Sequence, residues 1–342
     1  MGLDYRSAGV DIDVANRAKH MIAEAVRSTH GPAVLAGMGA FGGALALGEA
    51  LAYTPDPVLV ASTDGVGTKT LIAAALGRYD SVGRDLVNHS INDVLVQGAR
   101  PLFFMDYLAA ARLDAEIVAE IVGGVAVACR EAGCALLGGE TAEMPDVYGA
   151  DAFDLAGTMV GIVARDKLIT GASIVPGDAV LALPSSGLHT NGYTLARRIA
   201  EPLGYAARPA ELGGVSLGEA LLAVHRSYLA QADSLWQAGI KIKGMAHITG
   251  GGLWENAPRV LPSGVALEIR RRSWPVPPIC AFLVQQARLD EYEAFRTLNM
   301  GIGMLLILDT ADTATALRTV PELSVVGQVV ERGDGDGVRL VD

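Results

Sequence analysis

Residues 57–69 read PVLVASTDGVGTK, and this stretch decides the fold. Pro57 to Ala61 is a short apolar run rich in strand formers, which predicts a buried strand. It leads into Ser62-Thr63-Asp64-Gly65-Val66-Gly67-Thr68-Lys69, a polar turn predicted to open a helix over residues 70–75. The junction gathers a carboxylate, two glycines, a hydroxyl and a cation within six residues. Backbone N–H groups at Gly65 and Gly67 can approach phosphate oxygens, Lys69 can offset their charge, and Asp64 can ligate a hard cation. A capped turn with an exposed lysine explains the same residues, and the spacing is not that of a Walker A loop.

Strands and helices alternate outward from this point. Upstream, residues 13–28 carry Val14, Ala18, Met21, Ile22, Ala25 and Val26 at helical spacing, with Asp11 or Asp13 as the cap. Downstream come a helix over residues 85–98, a strand over 101–108, and a helix over 114–131 whose Gly123-Gly124 pair predicts close packing. A strand over 134–137 is expected to stop at Gly138-Gly139-Glu140, and another covers 156–163. Turn residues around 166–176 mark a domain boundary. The second half repeats the style, with a strand over 179–183, helices over 193–202 and 216–238, a strand entering His247, and strands over 303–308 and near 324–330. The expected fold is therefore α/β (α+β), with an amino-terminal domain over 1–168 and a carboxy-terminal αβ domain over 169–342.

Composition narrows the function. The 342 residues are 51% hydrophobic and 19% charged, too apolar for a disordered chain. Twenty-seven Lys and Arg against 38 Asp and Glu leave a net charge of −11, which speaks against a nucleic-acid partner. Arg270-Arg271-Arg272 reads as a solvated strand end. Cys129, Cys134 and Cys280 lie among apolar residues and form no disulfide framework, which fits a reducing compartment. No apolar run reaches membrane-span length, and MGLDYRSAGVDID has no secretory signal, nor, with Arg6, a myristoylation signal; the expectation is a cytoplasmic protein. Glycine stands out, at 41 of 342 residues or about 12% against a usual share near 7%.

Those glycines gather beside candidate ligand groups. Asn92-Asp93, Asp106 and Gly138-Gly139-Glu140-Thr141-Ala142-Glu143 supply carboxylates near strand ends, suited to magnesium shared with phosphate oxygens, though each acid alone reads as a cap or surface group. Gly37-Met38-Gly39-Ala40-Phe41-Gly42-Gly43 has the wrong spacing for a dinucleotide fingerprint and reads as a flap or a plain mobile loop. His189 and Asn191 lie in a Ser/Gly-rich loop after a strand, and His247 precedes Thr249-Gly250-Gly251-Gly252. Histidines are often structural, but two of only six beside glycine loops point towards proton chemistry. The Gly250–Gly252 run could offer N–H groups to a phosphate ester at a helix start, or form a tight turn. There is no Gly-x-Ser-x-Gly elbow, zinc spacing or HExxH motif, so acyl hydrolysis and zinc catalysis lose support.

The blocks STDGVGTK (62–69), NDVLVQGA (92–99), PLFFMDY (101–107), GGETAEMP (138–145), SSGLHTNGY (185–193), HITGGGLWENAPRVLP (247–262) and RTLNMGIGM (296–304), after Tyr5 and AGVDID (8–13), resemble the phosphoribosylformylglycinamidine cyclo-ligases, or aminoimidazole ribonucleotide synthetases. The resemblance covers essentially the whole chain. It implies ATP-dependent closure of formylglycinamidine ribonucleotide to aminoimidazole ribonucleotide in purine biosynthesis, releasing ADP and phosphate through an iminophosphate. It also implies a homodimer in which mixed amino-terminal sheets meet, with ATP near that interface.

Carried onto this sequence, the resemblance implies that Asp64, Gly65, Gly67, Thr68, Lys69, Asp93, Gly139 and Glu140 meet ATP, with Asp64, Asp93 and Glu140 holding Mg2+. His189 or His247 would manage a proton and Asn191 would orient the substrate. Thr249, Gly250, Gly251, Gly252 and Asn256 would bind the substrate's ribose phosphate or the transferred group. The chain departs from its relatives where Ala23 replaces a frequent lysine of the first helix and His30-Gly31-Pro32 precedes the flap. Other members of the ATP-binding superfamily, such as thiamine monophosphate kinase or selenophosphate synthetase, and a non-catalytic nucleotide-binding scaffold are the competing readings.

Overall fold

The structure is a computed structural model that describes residue 5 and residues 9–150 and 152–342; residues 1–4 and 6–8, including the Arg6 and Ala8 quoted above, lie outside the described residues. The chain divides into two compact units. One takes the chain up to Val94 together with Ala99–Asp166, and the other takes Leu95–Gly98 with Lys167–Asp342. The tetrapeptide Leu95–Gly98, which the sequence places inside the first domain, thus packs with the second.

In the first unit, α1 (Ile12–Arg27) is capped by Asp11, whose side chain accepts from the amides of Asp13 and Val14. A hairpin of β1 (Val34–Ala36) and β2 (Ala44–Leu45) carries the glycine flap, with Phe41 fully exposed at its tip. Then follow α2 (Gly48–Ala52), β3 (Pro57–Gly65), α3 (Lys69–Leu76), α4 (Asp80–Leu95), β4 (Arg100–Ala110), α5 (Ala115–Ala132), β5 (Ala135–Glu143) and β6 (Phe153–Ala164). The sheet order is β3-β6-β4-β5, mixed because β4 and β5 run parallel while β6 is antiparallel to both neighbours. Helices α4 and α5 approach closely: a Cβ on Gly83 would lie 2.0 Å from Ile121 O, and one on Gly124 would lie 2.1 Å from Asp80 O. Gly123 faces open space.

Two expectations are corrected here. Ser62–Gly65 is not a turn but the end of β3, and Gly138–Glu143 does not end β5 but continues it. Pairing therefore fixes which face each acid occupies. Asp64, Gly157, Asp106 and Gly139 form one row across the sheet, so their side-chain positions share one face, while Gly65, Ala156, Tyr107 and Glu140 form the next row on the other. The outer face carries exposed apolar residues, with Leu59 60% and Met105 40% accessible.

The second unit contains β7 (Ala179–Pro184), α6 (Tyr193–Leu203), α7 (Leu217–Leu221), α8 (Leu229–Gln237), β8 (Ile242–His247), α9 (Gly252–Asn256), β9 (Val265–Arg270), α10 (Pro278–Ala287), α11 (Glu291–Thr297), β10 (Ile302–Leu308), α12 (Thr313–Thr319), β11 (Ser324–Glu331) and β12 (Val338–Val341). Its sheet order is β12-β9-β11-β7-β10-β8. Every residue of β10 is buried, as its unbroken apolar sequence requires. The helix expected over residues 216–238 is two helices. Ser216 caps the first through a reciprocal bond with Glu219, and residues 222–228 between them are non-helical, with Tyr228 Oη donating to Pro184 O.

Candidate active site

Each unit presents its own cluster. In the first, α4 sets His89 and Asp93 one turn apart on one face. His89 Nε2 lies 2.8 Å from Asp64 Oδ2 at the end of β3 and 3.5 Å from Asp93 Oδ2, and Ser62 Oγ donates to Asp93 at 3.0 Å. Burial works against the imidazolium, but the hydrogen bonds and charges of the two acids outweigh it and raise His89 to about 9. Burial likewise opposes ionisation of Asp64, yet the bond and charge of His89 hold its carboxyl below the usual range. At neutral pH an imidazolium thus sits between two carboxylates, one of them 46% exposed. The two carboxylates that meet here, one of them largely exposed, are the hard oxygen donors that a divalent cation such as magnesium takes.

Three other candidates of this unit lie elsewhere. The side chain of Lys69 is completely buried, with Nζ 2.7 Å from Asp85 Oδ2, so its charge is spent on an internal pair and not offered to a ligand. Gly65 N–H donates to Asp64 Oδ1 at 2.6 Å. Glu140 is exposed on the sheet face opposite Asp64, and its Oε1 accepts from the amide of Thr141. Gly139 fits the row differently from expectation: a Cβ there would lie 2.2 Å from Asp106 Oδ1, so this glycine makes room for a neighbouring carboxyl. Gly67 and Thr68 remain at the β3–α3 junction, Gly67 with φ +65°. His30 Nε2 contacts Leu136 O at 2.9 Å, which ties the base of the flap to β5.

In the second unit, three histidines meet. His189, left-handed at φ 62°, stacks on His225 with centroids 3.9 Å apart and an interplanar angle of 18°. Its Nε2 accepts from Ser186 N–H at 3.2 Å; a backbone amide only donates, which puts the His189 proton on Nδ1. His225 Nε2 lies 3.1 Å from His247 Nε2 at the end of β8, and His225 Nδ1 lies 3.3 Å from Thr190 Oγ1. All three rings are buried. His225 lies within the stretch 216–238 that reads as one helix, where a single histidine carries no local signal of a site.

The glycine loops here are held by asparagines. Asn256, itself buried, donates from Nδ2 to the carbonyls of Thr249, Gly250 and Gly252 at 3.2, 3.1 and 2.8 Å, and Thr249 Oγ1 donates to its Oδ1 at 3.2 Å. It braces the loop, where the sequence reading gave it to substrate. The Gly252 amide donates to Thr249 O, and α9 has only five residues, so the glycine run forms a tight turn that leads into a single short helical turn. A Cβ on Gly252 would lie 1.8 Å from Phe295 O. Asn299 braces the other loop, donating to Gly187 O and accepting from Ser185 Oγ and Gly301 N–H. Asn191 lies between the loops: a Cβ on Gly250 would be 3.4 Å from its Oδ1, and its buried Nδ2 has no hydrogen-bond partner among the described residues. An unsatisfied buried amide beside an open glycine suits a ligand's acceptor atom.

Residues 47–163 match the family described as AIR synthase related protein, N-terminal domain, and residues 175–339 match its C-terminal domain. The phosphoribosylformylglycinamidine cyclo-ligase of Desulfitobacterium hafniense is 48% identical over 339 residues, covering 98% of this chain and 99% of the relative. That of Alkaliphilus oremlandii is 45% identical over 337 residues, covering 97% and 98%. In fold, the chain is similar to the hydrogenase maturation protein HypE in complex with ATP, with TM-score 0.68, 19% identity and coverage of 94% of this chain and 90% of that one. It is also similar to the thiamine-monophosphate kinase of Stenotrophomonas maltophilia, with TM-score 0.65, 16% identity and coverage of 94% and 95%. End-to-end identity of this order, in both domains, means that the chain belongs to the phosphoribosylformylglycinamidine cyclo-ligase family.

Proposed function

We propose that this chain catalyses the ATP-dependent closure of formylglycinamidine ribonucleotide to aminoimidazole ribonucleotide in purine biosynthesis. The observation that carries the reading is the 48% identity over 98% of the chain to a relative bearing that name. A formamide oxygen is a poor leaving group. Transfer of the γ-phosphoryl of ATP to that oxygen breaks the bond to ADP and gives an iminophosphate; the amidine-side nitrogen then bonds to the activated carbon as the C–O bond breaks and phosphate departs.

Asp64 and Asp93 are the residues that would hold magnesium, which supplies charge neutralisation at phosphate oxygens. His89 orients both carboxylates from behind. Glu140, on the outer face, is assigned to a contact on the face offered for pairing. His247 takes the proton from the attacking nitrogen, His189 shapes the pocket wall, and Asn191 Nδ2 donates to the substrate. The Thr249–Gly251 backbone contacts the ribose phosphate or the transferred group. The apolar outer sheet face, with Leu59 and Met105, supports a homodimer through that face. Among the described residues no helix is long and apolar enough to cross a membrane.

The test is incubation with magnesium, ATP and formylglycinamidine ribonucleotide, following ADP and the arylamine product together. Equal, substrate-dependent formation of both is expected. ADP without arylamine overturns the reading in favour of a kinase-like activity, and nucleotide binding without either product overturns it in favour of a scaffold.

A further inference from the structure

Helix α5 ends in a turn closed by two backbone hydrogen bonds. Gly133, left-handed at φ 69°, follows its last residue; the Gly133 amide donates to Arg130 O at 3.1 Å, and the Cys134 amide donates to Cys129 O at 3.0 Å. This is the Schellman arrangement, in which the two residues joined by the longer-range bond also bring their side chains together, as a rule in an apolar contact. Here both are cysteines, and both are buried. Any small hydrophobe would fill that contact. Two thiols in it add a reaction.

A disulfide requires Cα atoms within about 7 Å of each other. The 3.0 Å bond, together with the covalent reach from each Cα to the bonded oxygen or nitrogen, holds Cys129 and Cys134 inside that limit. Their side chains adjoin as the motif requires: burial first, and then the neighbouring Cys134 thiol, push the Cys129 thiol well above its ordinary range. Cys129 therefore rests protonated. Around the pair, Arg130, Glu131 and Gly133 are exposed, so opening of the last turn of α5 is the route by which a reagent reaches the sulfurs. Cys280 supplies the contrast, because burial alone pushes its thiol up to about 12, with no second thiol contributing.

We propose that Cys129 and Cys134 form a reversible dithiol–disulfide site, closed by exchange with a low-molecular-weight disulfide such as oxidised glutathione and locking the turn that leads α5 into β5. In the first step one cysteine, as its thiolate, attacks a glutathione sulfur; a protein–glutathione S–S bond forms, the glutathione S–S bond breaks, and one reduced glutathione leaves. The other cysteine then attacks the protein sulfur of that mixed disulfide, the internal S–S bond forms, and the second reduced glutathione leaves. The two protein sulfurs together give up two electrons, the two glutathione sulfurs take them, and the two thiol protons pass to the departing glutathione thiolates. The bond spans a turn that the fold has already closed, so the folded chain favours it over the unfolded one. The inference is independent of the cyclo-ligase reading, since it draws on neither the acidic cluster nor the histidines.

The test equilibrates the full chain with stepped ratios of reduced to oxidised glutathione, in native buffer and in concentrated urea, then alkylates the remaining thiols and digests with trypsin. Cleavage after Arg130 separates the two cysteines, so the internal bond is read by mass spectrometry as a crosslink between the peptides that carry them. The equilibrium constant for closure is expected to be about 10-fold or more higher in the native chain than in urea. Linkage then requires the oxidised chain to melt at a higher temperature than the reduced one. Cys280→Ser is expected to leave the crosslink unchanged. A native constant equal to or below the urea value overturns the proposal, as does a product in which Cys129 or Cys134 stays joined to glutathione or is bonded to Cys280.

Discussion

Lys69 Nζ lies 2.7 Å from Asp85 Oδ2, and neither side chain has any accessible surface. Burial pulls the ammonium below its ordinary range, and the Asp85 charge offsets part of that. Removing one partner strands the other, so Lys69→Met is expected to cost about 3–5 kcal/mol in urea unfolding, whereas Lys69→Met with Asp85→Leu recovers most of it. A Lys69→Met protein of wild-type stability but weakened ATP affinity would place the lysine on the nucleotide after all.

His89 touches both acids that would hold magnesium. His89→Gln keeps a polar group but removes the imidazolium, and is expected to raise the magnesium concentration for half-maximal turnover by roughly 10–100-fold. Saturating magnesium should recover much of kcat. An unchanged magnesium titration would show that Asp64 and Asp93 orient themselves without it.

Asp106 is packed against Gly139 inside the sheet, and its burial, only partly opposed by a hydrogen bond from its own amide, raises its carboxyl to about 7 from an ordinary 3.8. Between those values the folded chain holds a proton that the unfolded chain releases, so stability falls as pH rises from 4 to 7 and stays lower above 7. Asp106→Asn removes the cost of ionisation. Its melting temperature relative to wild type is expected to climb between pH 5 and pH 8; a difference independent of pH would show that Asp106 is ionised throughout.

The two N–H bonds of the Asn256 amide are shared among three loop carbonyls. Asn256→Ala leaves them in a dry site and is expected to destabilise the second unit by about 2–3 kcal/mol while raising KM for the ribonucleotide. Lost activity at full stability would mean that the amide meets the ligand directly.

The sequence carries the element order and much of the site, because periodicity and caps are local. Asp11 caps α1 where expected and Asp93 lies on the helix read over residues 85–98, whereas Asp64, read into a turn, ends β3, and its meeting with Asp93 at His89 is a tertiary contact that spacing does not give. Side-chain direction is another matter. Glu140 and Asp64 part company because the strands run on through both glycine motifs, and strand parity is set by pairing with β6 and β4. Lys69 looked like surface because a lysine after a glycine turn usually is, and its buried partner lies on the next helix. His225 is hidden in a stretch read as helix, which is non-helical where Tyr228 Oη bonds to Pro184 O. Only the fold gathers three of the six histidines, His189, His225 and His247, in one buried cluster.

Leu95, the last residue of α4, is wholly buried in the second unit's apolar cluster with Leu181, Leu183 and Met304. The two halves are therefore not interchangeable cassettes. A gene cut between codons 166 and 167 yields a carboxy-terminal fragment missing a core side chain and an amino-terminal fragment displaying it to solvent. Domain grafting between relatives must carry residues 95–98 with the second half or match their side chains to it, and a protease nick near residue 166 should leave two pieces that still travel together.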